Sequence, residues 1–523
     1  MNAQPEEGLR FDRLLNGLAD KRGAIVTLAQ GAPVRHGFAG LAADVARAKE
    51  QLLRWKVKAG TRVGMFAPNS YAYVVYDLAL IAIHAIPVGF TDDFAREIGR
   101  ELVERYRLAL MLLAKSVAHS FTATDKFVAL LDGENGDVEA IAREPYADGD
   151  EPDDLCLAFS SGSAGGLKGL VISRKGAETT LPPVVDAVEV THRDRLLLFL
   201  PMSNFQQRMM YYAAIGYDFD VAVTDYTQLY PAMKILEPTI LIAPPVFFHL
   251  THNRFAAACN GWRIKALARL IAVLPGRRFR RTLARHAFKD VHGLFGRRMR
   301  LLISGMAPLN RSAIRFFDAV QLPLCESYGL AETGSLTYRP AFSRNRASVG
   351  KPLKGVTIEF ADDGEIAIRR EAFLTRKYFQ CAAGENENTF QKGRVLTGDI
   401  GEMDGEGWLR LLGRKKELIV TPGGFKIHPE VLEGELNLSP DIVQSVIFQK
   451  MGVGHLTCVV VPGGEASESA LKRIRGYADR ITRDRKVRIG EILLAEEPFS
   501  AQNGLLRPNL KLDRKAIAAR YAT

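Results

Sequence analysis

The chain has 523 residues, of which 47% are hydrophobic and 25% charged, and its formal net charge is +11. This length exceeds one typical hydrophobic core, so more than one domain is expected, and the composition is that of a soluble globular enzyme rather than a disordered chain. The five cysteines are scattered and form no CxxC pair, which argues against a disulfide framework or a zinc site and predicts a reducing, cytoplasmic compartment.

The first regular pattern lies between residues 62 and 90. Residues 62–67 (RVGMFA) and 86–90 (IPVGF) are apolar runs typical of buried strands, and residues 73–85 between them fit a helix. Asp77 and His84 interrupt the long apolar run, which favours a buried helix followed by a strand over a membrane span. Further apolar runs alternate with helical stretches, so the pattern predicts an α/β architecture with parallel sheets.

A glycine-rich loop separates two apolar runs at residues 159–169 (FSSGSAGGLKG). Glycines let backbone N–H groups approach an anion, serine hydroxyls add donors, and Lys168 adds a positive charge, so the loop predicts a phosphate cradle. The residues around Lys168 do not have the spacing of a Walker loop. Taken alone, the segment leaves a flexible hairpin with a solvated lysine as the alternative.

The positive charge is concentrated in one segment. Residues 263–300 contain 12 Lys and Arg residues and one acid, Asp290, so this segment accounts for the whole net charge of +11. Such a patch indicates an anionic partner: a CoA nucleotide, an acidic carrier protein or a lipid surface. The helix-compatible periodicity slightly favours the alternative, a solvated helical face. Because no stacking aromatics are interleaved with the charges, no nucleic-acid partner is expected.

Three later blocks narrow the function. Residues 326–334 read ESYGLAETG, and residues 396–433 contain LTGDIGEMDGEGW and LLGRKKE. With the loop at 159–169, in this order and spacing, they resemble the adenylate-forming superfamily of acyl-CoA synthetases, peptide-synthetase adenylation domains and luciferases. The last block, NGLLRPNLKLDRKAI, is similar to the C-terminal lysine motif of long-chain-type acyl-CoA synthetases. The resemblance runs from about residue 24 to the end of the chain.

The resemblance implies two domains with the active site between them. Residues 1–412 would form a large α/β domain with layered, mostly parallel β-sheets, which holds the nucleotide and acyl sites. Residues 413–523 would form a small mobile α+β lid that carries the catalytic lysine. The boundary falls at the turn LLGRKKE, and the remaining length suits a small separate domain.

The resemblance also assigns the phosphate and metal sites. The residues that would grip the β- and γ-phosphates of ATP are Ser160, Ser161, Gly162, Ser163, Gly165 and Lys168. Glu332 would hold Mg²⁺, which prefers hard oxygen ligands. Two residues depart from the family pattern: Ala164 stands where a second threonine is common, and Leu167 where proline is usual. These departures remove one donor and loosen the turn.

The adenine and ribose sites follow from the same resemblance. Tyr328 would stack on adenine, and Gly329 would let the backbone approach it. The segment expected to line the adenine and acyl sites is Gly305, Met306 and Ala307. Asp399 would accept hydrogen bonds from both ribose hydroxyls, and Arg414 would reach the ribose or a phosphate. Ala331 replaces a threonine expected to touch the α-phosphate, and one transition-state donor can be worth roughly 3 kcal/mol.

In the lid, the resemblance places the hinge at Lys416 and an acceptor tunnel at Gly423 and Gly424. Lys511, in LRPNLKLDR, would span the carboxylate and the α-phosphate during adenylation. It also forms a K-x-x-R pattern with Arg514. Lys511 is therefore expected to be a catalytic residue, together with Lys168 and Glu332.

The acceptor depends on Asn204, in LPMSNFQQRMM. Many acyl-CoA synthetases carry at this place a histidine associated with the thioester step. Asn cannot become positively charged near neutral pH, whereas His can, so the substitution weakens the CoA assignment but not the adenylation assignment. The large side chains nearby either line the acyl pocket or pack in the core: Met202, Met209, Met210, Tyr211 and Tyr212.

The sequence thus predicts an ATP- and Mg²⁺-dependent carboxylic acid ligase that forms an acyl-adenylate and transfers the acyl group to CoA. One alternative is an amide ligase of specialised metabolism, similar to coronafacate ligases, with an amino acid as acceptor. Another is an acyl-AMP ligase that loads a carrier protein. A silent nucleotide-binding regulator is a further alternative, against which the retained Glu332, Asp399, Arg414 and Lys511 argue.

Overall fold

The computed structural model describes residues 9–122, 124–161, 167–259, 262–307, 309–420, 426–450, 453, 455–483, 487–500, 502–506 and 512–521. Their strands are, in chain order, β1 Ala24–Ala29, β2 Ala32–Gly37, β3 Arg62–Phe66, β4 Ile86–Gly89, β5 Leu108–Leu113, β6 Val128–Leu130, β7 Asp154–Ser161, β8 Leu167–Ser173, β9 Arg195–Leu198, β10 Asp220–Val223, β11 Ile240–Ala243, β12 Leu301–Ser304, β13 Leu324–Leu330, β14 Gly334–Arg339, β15 Lys351–Pro352, β16 Thr357–Phe360, β17 Glu365–Arg369, β18 Thr375–Phe379, β19 Phe390–Gln391, β20 Arg394–Met403, β21 Leu409–Arg414, β22 Ile419–Val420, β23 Lys426–Ile427, β24 Ile442–Phe448, β25 Leu456–Pro462 and β26 Ile489–Leu494.

The α-helices are α1 Phe11–Asn16, α2 Phe38–Arg54, α3 Tyr71–Ala82, α4 Arg100–Arg105, α5 Arg174–Thr180, α6 Pro182–Val188, α7 Phe205–Gly216, α8 Leu229–Leu236, α9 Pro245–Cys259, α10 Trp262–Val273, α11 Arg277–Ala287, α12 Lys289–Phe295, α13 Arg311–Ala319, α14 Glu385–Thr389, α15 Pro429–Leu436, α16 Glu468–Thr482 and α17 Arg514–Tyr521. Several begin at a polar side chain that caps a free backbone N–H. In α3, the Ser70 hydroxyl accepts from the N–H of Tyr73 at 3.1 Å, and Ser467 does the same at the start of α16.

Two large β-sheets form the body of the structure, as the predicted α/β class requires. One has the strand order β15-β14-β13-β12-β11-β9-β10-β1-β2, and the other β18-β8-β7-β4-β3-β5-β6. The central pairs are parallel, whereas the pairs towards the edges, β1–β2, β13–β14, β14–β15, β7–β8 and β8–β18, are antiparallel. The predicted β-α-β unit is confirmed, because β3 and β4 pair in parallel on either side of α3.

The later strands form smaller sheets. Strands β16, β17, β20, β19 and β21 make an antiparallel sheet, and β24, β25 and β26 make a separate sheet that packs with α15 and α16 around its own apolar core. Within the described residues, β21 pairs with β20, whereas the strands after it pair only with one another. The chain therefore changes sheets between Arg414 and Ile419.

A buried ion pair joins α3 to α7. Asp77, which interrupts the apolar run in α3, is fully buried and pairs with the equally buried Arg208. The hydroxyls of Tyr211 and Tyr212 also donate to Asp77, the latter at 2.6 Å. Removing one member of such a pair would leave an uncompensated buried charge, which typically costs about 3–5 kcal/mol. No helix in the described residues is long and apolar enough to cross a membrane.

Candidate active site

A cavity of about 860 Å³ is lined by residues from several of the sequence motifs. Its wall includes the ends of the β7–β8 hairpin, the residues after β9 and β12, the end of β13 and the turn after β21. Parallel strands present their carboxyl ends at one edge, which is where α/β proteins usually bind ligands. The predicted site residues that line it are Ser160, Lys168, Met306, Gly329, Glu332, Arg414 and Lys416.

The glycine-rich loop connects two antiparallel strands. Ser160 of β7 is directly opposite Lys168 of β8, so the two side chains lie on the same face of the hairpin, and both line the cavity. Lys168 Nζ is 3.1 Å from Glu385 Oε1 and 4.3 Å from the centre of the Tyr378 ring. Of the other predicted loop residues, the Ser161 side chain and Gly162, Ser163 and Gly165 lie outside the described residues.

Tyr378 contacts both Lys168, the predicted phosphate-binding lysine, and Glu332, the predicted metal ligand. Its hydroxyl donates to Glu332 Oε1 at 2.7 Å, while its ring lies beneath the Lys168 ammonium. Burial and the neighbouring Glu332 carboxylate raise the pKa of Tyr378, so the hydroxyl keeps its proton and remains a donor. The backbone of Glu332 is fixed as well, because its carbonyl accepts from the N–H of Thr375 at 3.0 Å.

Asp399 lies between Tyr328 and Arg414. The Tyr328 hydroxyl donates to Asp399 Oδ2 at 2.6 Å, and Arg414 Nε is 2.5 Å from Asp399 Oδ1. Burial, followed by the Asp399 carboxylate, raises the pKa of Tyr328 well above its usual value. Each carboxylate oxygen can accept about two hydrogen bonds, so the arrangement is compatible with ribose hydroxyls as additional donors.

Gly329 has a structural requirement that the sequence did not reveal. A Cβ at this position would lie 2.3 Å from the carbonyl oxygen of Gly334 and 2.7 Å from the Cα of Ser335, both on the paired strand β14. The close approach at Gly329 is therefore to neighbouring protein backbone. Its predicted approach to the nucleotide remains a prediction.

Met306 also has an unusual backbone. It lies between Gly305 and Ala307, just after β12, and has φ of +73°. This left-handed conformation is rare for a side chain of its size and is found disproportionately at functional sites. Met306 lines the cavity.

Asn204 caps the helix that follows it. Its side-chain oxygen accepts from the N–H of Gln206 at 3.1 Å at the start of α7, and Asn204 lines the cavity. Asparagine is among the best N-cap residues, so the residue has a local structural role in addition to its place in the site. The large side chains nearby pack in or against the main core: Met202, Met209, Met210, Tyr211 and Tyr212.

The predicted hinge lies on a short 3₁₀ turn, Lys415–Glu417. Lys416 and Glu417 line the cavity, and Lys415 Nζ contacts Asp363 at 2.6 Å and Glu365 at 2.7 Å. From α17, Arg514 Nε lies 3.0 Å from Glu417 Oε2. The turn is thus tied to the start of β17 on one side and to α17 on the other.

Lys511, Gly423 and Gly424 lie outside the described residues. Residues on either side of Lys511 are described: Leu506 and Asp513 line the cavity, and Leu506 and Leu512 form an isolated β-bridge. The K-x-x-R arginine, Arg514, donates to Glu433 of α15 at 2.7 Å, which anchors α17 to α15.

The described cavity wall carries more acidic than basic side chains. The acids are Asp92, Asp93, Glu332, Glu365, Glu385, Glu417 and Asp513, and the bases are Lys168, Arg414, Lys415 and Lys416. A triphosphate would need further positive charge in this wall, because like charges repel in a partly desolvated site. Mg²⁺ fits this need, since the Glu332 carboxylate offers it a hard oxygen ligand.

The described residues contribute few metal ligands of their own. Among the described residues, no group of three or more His, Cys, Asp and Glu side chains could hold a metal ion. A single carboxylate together with substrate phosphates is a common way to bind Mg²⁺. The arrangement therefore fits a metal ion that arrives with a nucleotide.

Sequence reasoning missed Tyr378, Glu385 and Thr375. They lie in TRKYF and GENENT, which carry no recognisable motif. Thr375 and Tyr378 reach the site on β18, which pairs with β8, and Glu385 follows on α14. A pairing between strands this far apart in the chain leaves no local signal in one sequence.

Comparison with known proteins adds an independent observation. A family model described as AMP-binding enzyme matches residues 18–379. The long-chain-fatty-acid–CoA ligase FadD15 of Mycobacterium bovis is 26% identical to the chain over 549 aligned positions, covering 90% of this chain and 88% of the relative.

Solved structures share the fold. An ATP-bound chimera of RpMatB and BxBclM has a TM-score of 0.74 at 21% identity, with 98% of each chain covered. The amide bond synthetase McbA of Marinactinospora thermotolerans has a TM-score of 0.72 at 17% identity, covering 98% of this chain and all of its own.

Proposed function

Because the chain belongs to the AMP-binding enzyme family, we propose that it joins a carboxylic acid to CoA through an acyl-adenylate. It is an ATP-dependent, AMP-forming acid ligase. The CoA acceptor is supported by the mycobacterial relative, which is a long-chain-fatty-acid–CoA ligase. A cytoplasmic location is part of the same proposal.

One set of contacts supports this function most directly. Lys168, Tyr378 and Glu332 come from three distant parts of the chain and meet in one contact chain on the cavity wall. A lysine that would bind phosphate and a carboxylate that would hold a metal ion, both in contact with one tyrosine, fit the needs of a nucleoside triphosphate site.

In the first half-reaction, a carboxylate oxygen of the acid attacks the α-phosphorus of ATP, and pyrophosphate leaves. Ser160 and Lys168, with Ser161, Gly162, Ser163 and Gly165, would bind the β- and γ-phosphates. Glu332 would hold Mg²⁺, which when bound neutralises charge on the phosphates. Lys511 would place its ammonium between the two reacting anions and reduce their repulsion.

The nucleoside would lie against the end of β13 and the segment after β12. Asp399, oriented by Tyr328, would accept from the ribose hydroxyls, and Arg414 would contact the ribose or a phosphate. Tyr328 and Gly329, with Gly305, Met306 and Ala307, would line the adenine site.

In the second half-reaction, the CoA thiol attacks the acyl carbonyl, and AMP leaves. We divide the chain into a domain of residues 1–412 and a lid of residues 413–523 that turns about Lys416 between the two steps. Gly423 and Gly424 would then line the acceptor tunnel.

An amide ligase is the second candidate, favoured by two observations. Asn204 stands where a titratable histidine would assist the thioester step, and its side chain caps α7. The carboxylates of Asp92 and Asp93 also line the cavity, where they would attract a cationic amine and repel the phosphates of CoA.

The acceptor is tested by a competition. The enzyme with one adenylated acid is offered equal amounts of CoA and of an amino-acid mixture, and products are identified by mass spectrometry. We expect acyl-CoA as the dominant product, and Asn204→His to leave that preference in place. Dominant acyl-amino-acid product would reject CoA and establish the second candidate.

A further inference from the structure

Helix α10 has an apolar face that points away from the core. Leu267, Leu270 and Val273 are exposed by 41%, 59% and 78%, and their spacing of three residues places them on one side of the helix. Ala268 and Ile271, on another side, are buried in the core. On the start of α11, Phe279 is 55% exposed. Nothing within the described residues covers this face, which we term the α10 stripe (Leu267, Leu270 and Val273).

The α10 stripe lies within the segment of residues 263–300 that carries the chain's excess of positive charge. Six arginines surround it in sequence: Arg269, Arg277, Arg278, Arg280, Arg281 and Arg285. In the described part of the chain, none of them forms an ion pair with a carboxylate. Arg280 and Arg285 donate instead to the backbone carbonyls of Ala272 and Arg297. Burial, with Arg285 and Arg300 nearby, lowers the pKa of Arg281 to about 10, because a low-dielectric environment and neighbouring positive charges disfavour its protonated form.

These observations exclude the catalytic nucleotide as the ligand of this surface. None of the stripe residues or the six arginines lines the cavity, so the charge does not serve the triphosphate there. A solvated helical face, the alternative from the sequence, explains the arginines but not the leucines and valine beside them. Exposed apolar side chains grouped on one helix face usually mark an interaction site.

We propose that α10 and the start of α11 form a docking surface for an anionic lipid bilayer. The α10 stripe and Phe279 would enter the boundary between headgroups and acyl chains, while the arginines contact lipid phosphates. Leu and Phe beside a cluster of Arg is the composition of helices that lie in a membrane interface. A soluble polyanion would use the charges but would gain nothing from the stripe. The inference does not depend on which acid or acceptor the enzyme uses.

Vesicle co-sedimentation of the full-length protein tests the proposal. Phosphatidylcholine vesicles with and without phosphatidylserine are compared for the parent, Arg269→Glu/Arg278→Glu and Leu270→Ser/Val273→Ser. The parent should bind only the anionic vesicles. Losing two surface arginines should weaken that binding by roughly thirtyfold, and the serine variant should weaken it by roughly tenfold. Salt should reduce the binding, since it screens surface charges over about 10 Å at about 0.1 M.

The matched control is Leu53→Ser/Arg54→Glu at the end of α2, where Leu53 is 51% exposed and Arg54 is also exposed. It should bind vesicles like the parent, and all variants should keep the parent's carboxylate-dependent ATP–pyrophosphate exchange.

Three results would overturn the proposal. The parent fails to bind anionic vesicles. The serine variant binds as tightly as the parent, which would indicate a soluble acidic partner. Light scattering shows that the serine substitutions convert a dimer into a monomer, which would assign the stripe to a second copy of the chain.

Discussion

Glu332 is held more firmly than a surface carboxylate would be. The Tyr378 hydroxyl fixes one of its oxygens, and Thr375 donates its backbone N–H to the carbonyl of Glu332 and its hydroxyl to that of Ala331. An oriented carboxylate loses little conformational freedom when a metal ion binds, so it can act as a preorganised ligand.

Glu332→Gln is expected to weaken magnesium dependence and lower turnover by roughly a hundredfold or more, because a charged ligand in phosphoryl chemistry is lost. The measurement is a magnesium titration of ATP–pyrophosphate exchange. Glu359→Gln, on β16 and paired with Arg369, serves as the control and should behave like the parent. Superimposable titrations for Glu332→Gln and parent, at similar rates, would remove Glu332 from the metal site.

At the scale of single residues, the sequence predicted those site residues that lie in recognisable motifs. Lys168, Glu332, Arg414 and Lys416 all line the cavity. The sequence could not predict that Tyr378 belongs to the site. A tyrosine between Lys377 and Phe379 is like any other strand residue, and only the pairing of β18 with β8 brings it there.

A cluster of charges joins α17 to α15 and to the 3₁₀ turn at the proposed hinge. Arg514 of α17 contacts Glu417 of the 3₁₀ turn and Glu433 of α15, and lies 4.0 Å from Glu430. Burial, with Glu417 and Glu433 nearby and only partly offset by Arg514, raises the pKa of Glu430 from 4.5 to about 8. Glu430 Oε2 also occupies the space that a Cβ at Gly413 would fill, at 2.8 Å.

This shifted pKa predicts a pH-dependent stability. Between pH 4.5 and about 8 the folded protein keeps the Glu430 proton that the unfolded chain releases, so stability falls as pH rises through this window and then levels off. Glu430→Gln removes the titration and should melt at a higher temperature than the parent at about pH 9, with a smaller difference at about pH 5. Thermal melting across pH checks this.

The control for that series is Glu468→Gln, an exposed glutamate of α16 that pairs with Lys472. Its melting temperature should follow the parent's at every pH. A Glu430→Gln difference that does not change with pH would mean that Glu430 is ionised in the folded lid throughout.

Strands and helices with a clear hydrophobic period could be predicted from the sequence, but the strands with which they pair could not. The strand and helix pattern at residues 62–90 matches β3, α3 and β4 because buried parallel strands are continuous apolar runs. The order of the strands within the sheets could not be predicted. Strand β9 lies between β10 and β11, and β18 joins the sheet of β7 and β8 although it is far from them along the chain. Such pairings depend on tertiary packing rather than local composition.

On the scale of the whole molecule, the proposed mechanism requires residues 413–523 to adopt two arrangements, one for each half-reaction. Leu506 and Asp513, the described residues on either side of Lys511, line the same cavity as Lys168 and Glu332, which supports the proposal that Lys511 acts in adenylation. Lys511→Ala should therefore abolish acyl-adenylate formation and spare acyl transfer from a supplied acyl-adenylate.

The two half-reactions are measured separately, by ATP–pyrophosphate exchange and by product formation from synthetic acyl-adenylate and acceptor. Lys515→Ala, an exposed neighbour on α17, should leave both rates close to the parent's. Equal loss of both half-reactions in Lys511→Ala would give that lysine a structural role.

The most direct test of the central claim is ATP–pyrophosphate exchange across a panel of carboxylic acids of increasing chain length. The account predicts that exchange requires both magnesium and a carboxylate, that one class of acid is preferred, and that mass spectrometry detects the matching acyl-adenylate. ATP binding without exchange for any acid of the panel would contradict the assignment and leave a nucleotide-binding protein without ligase activity.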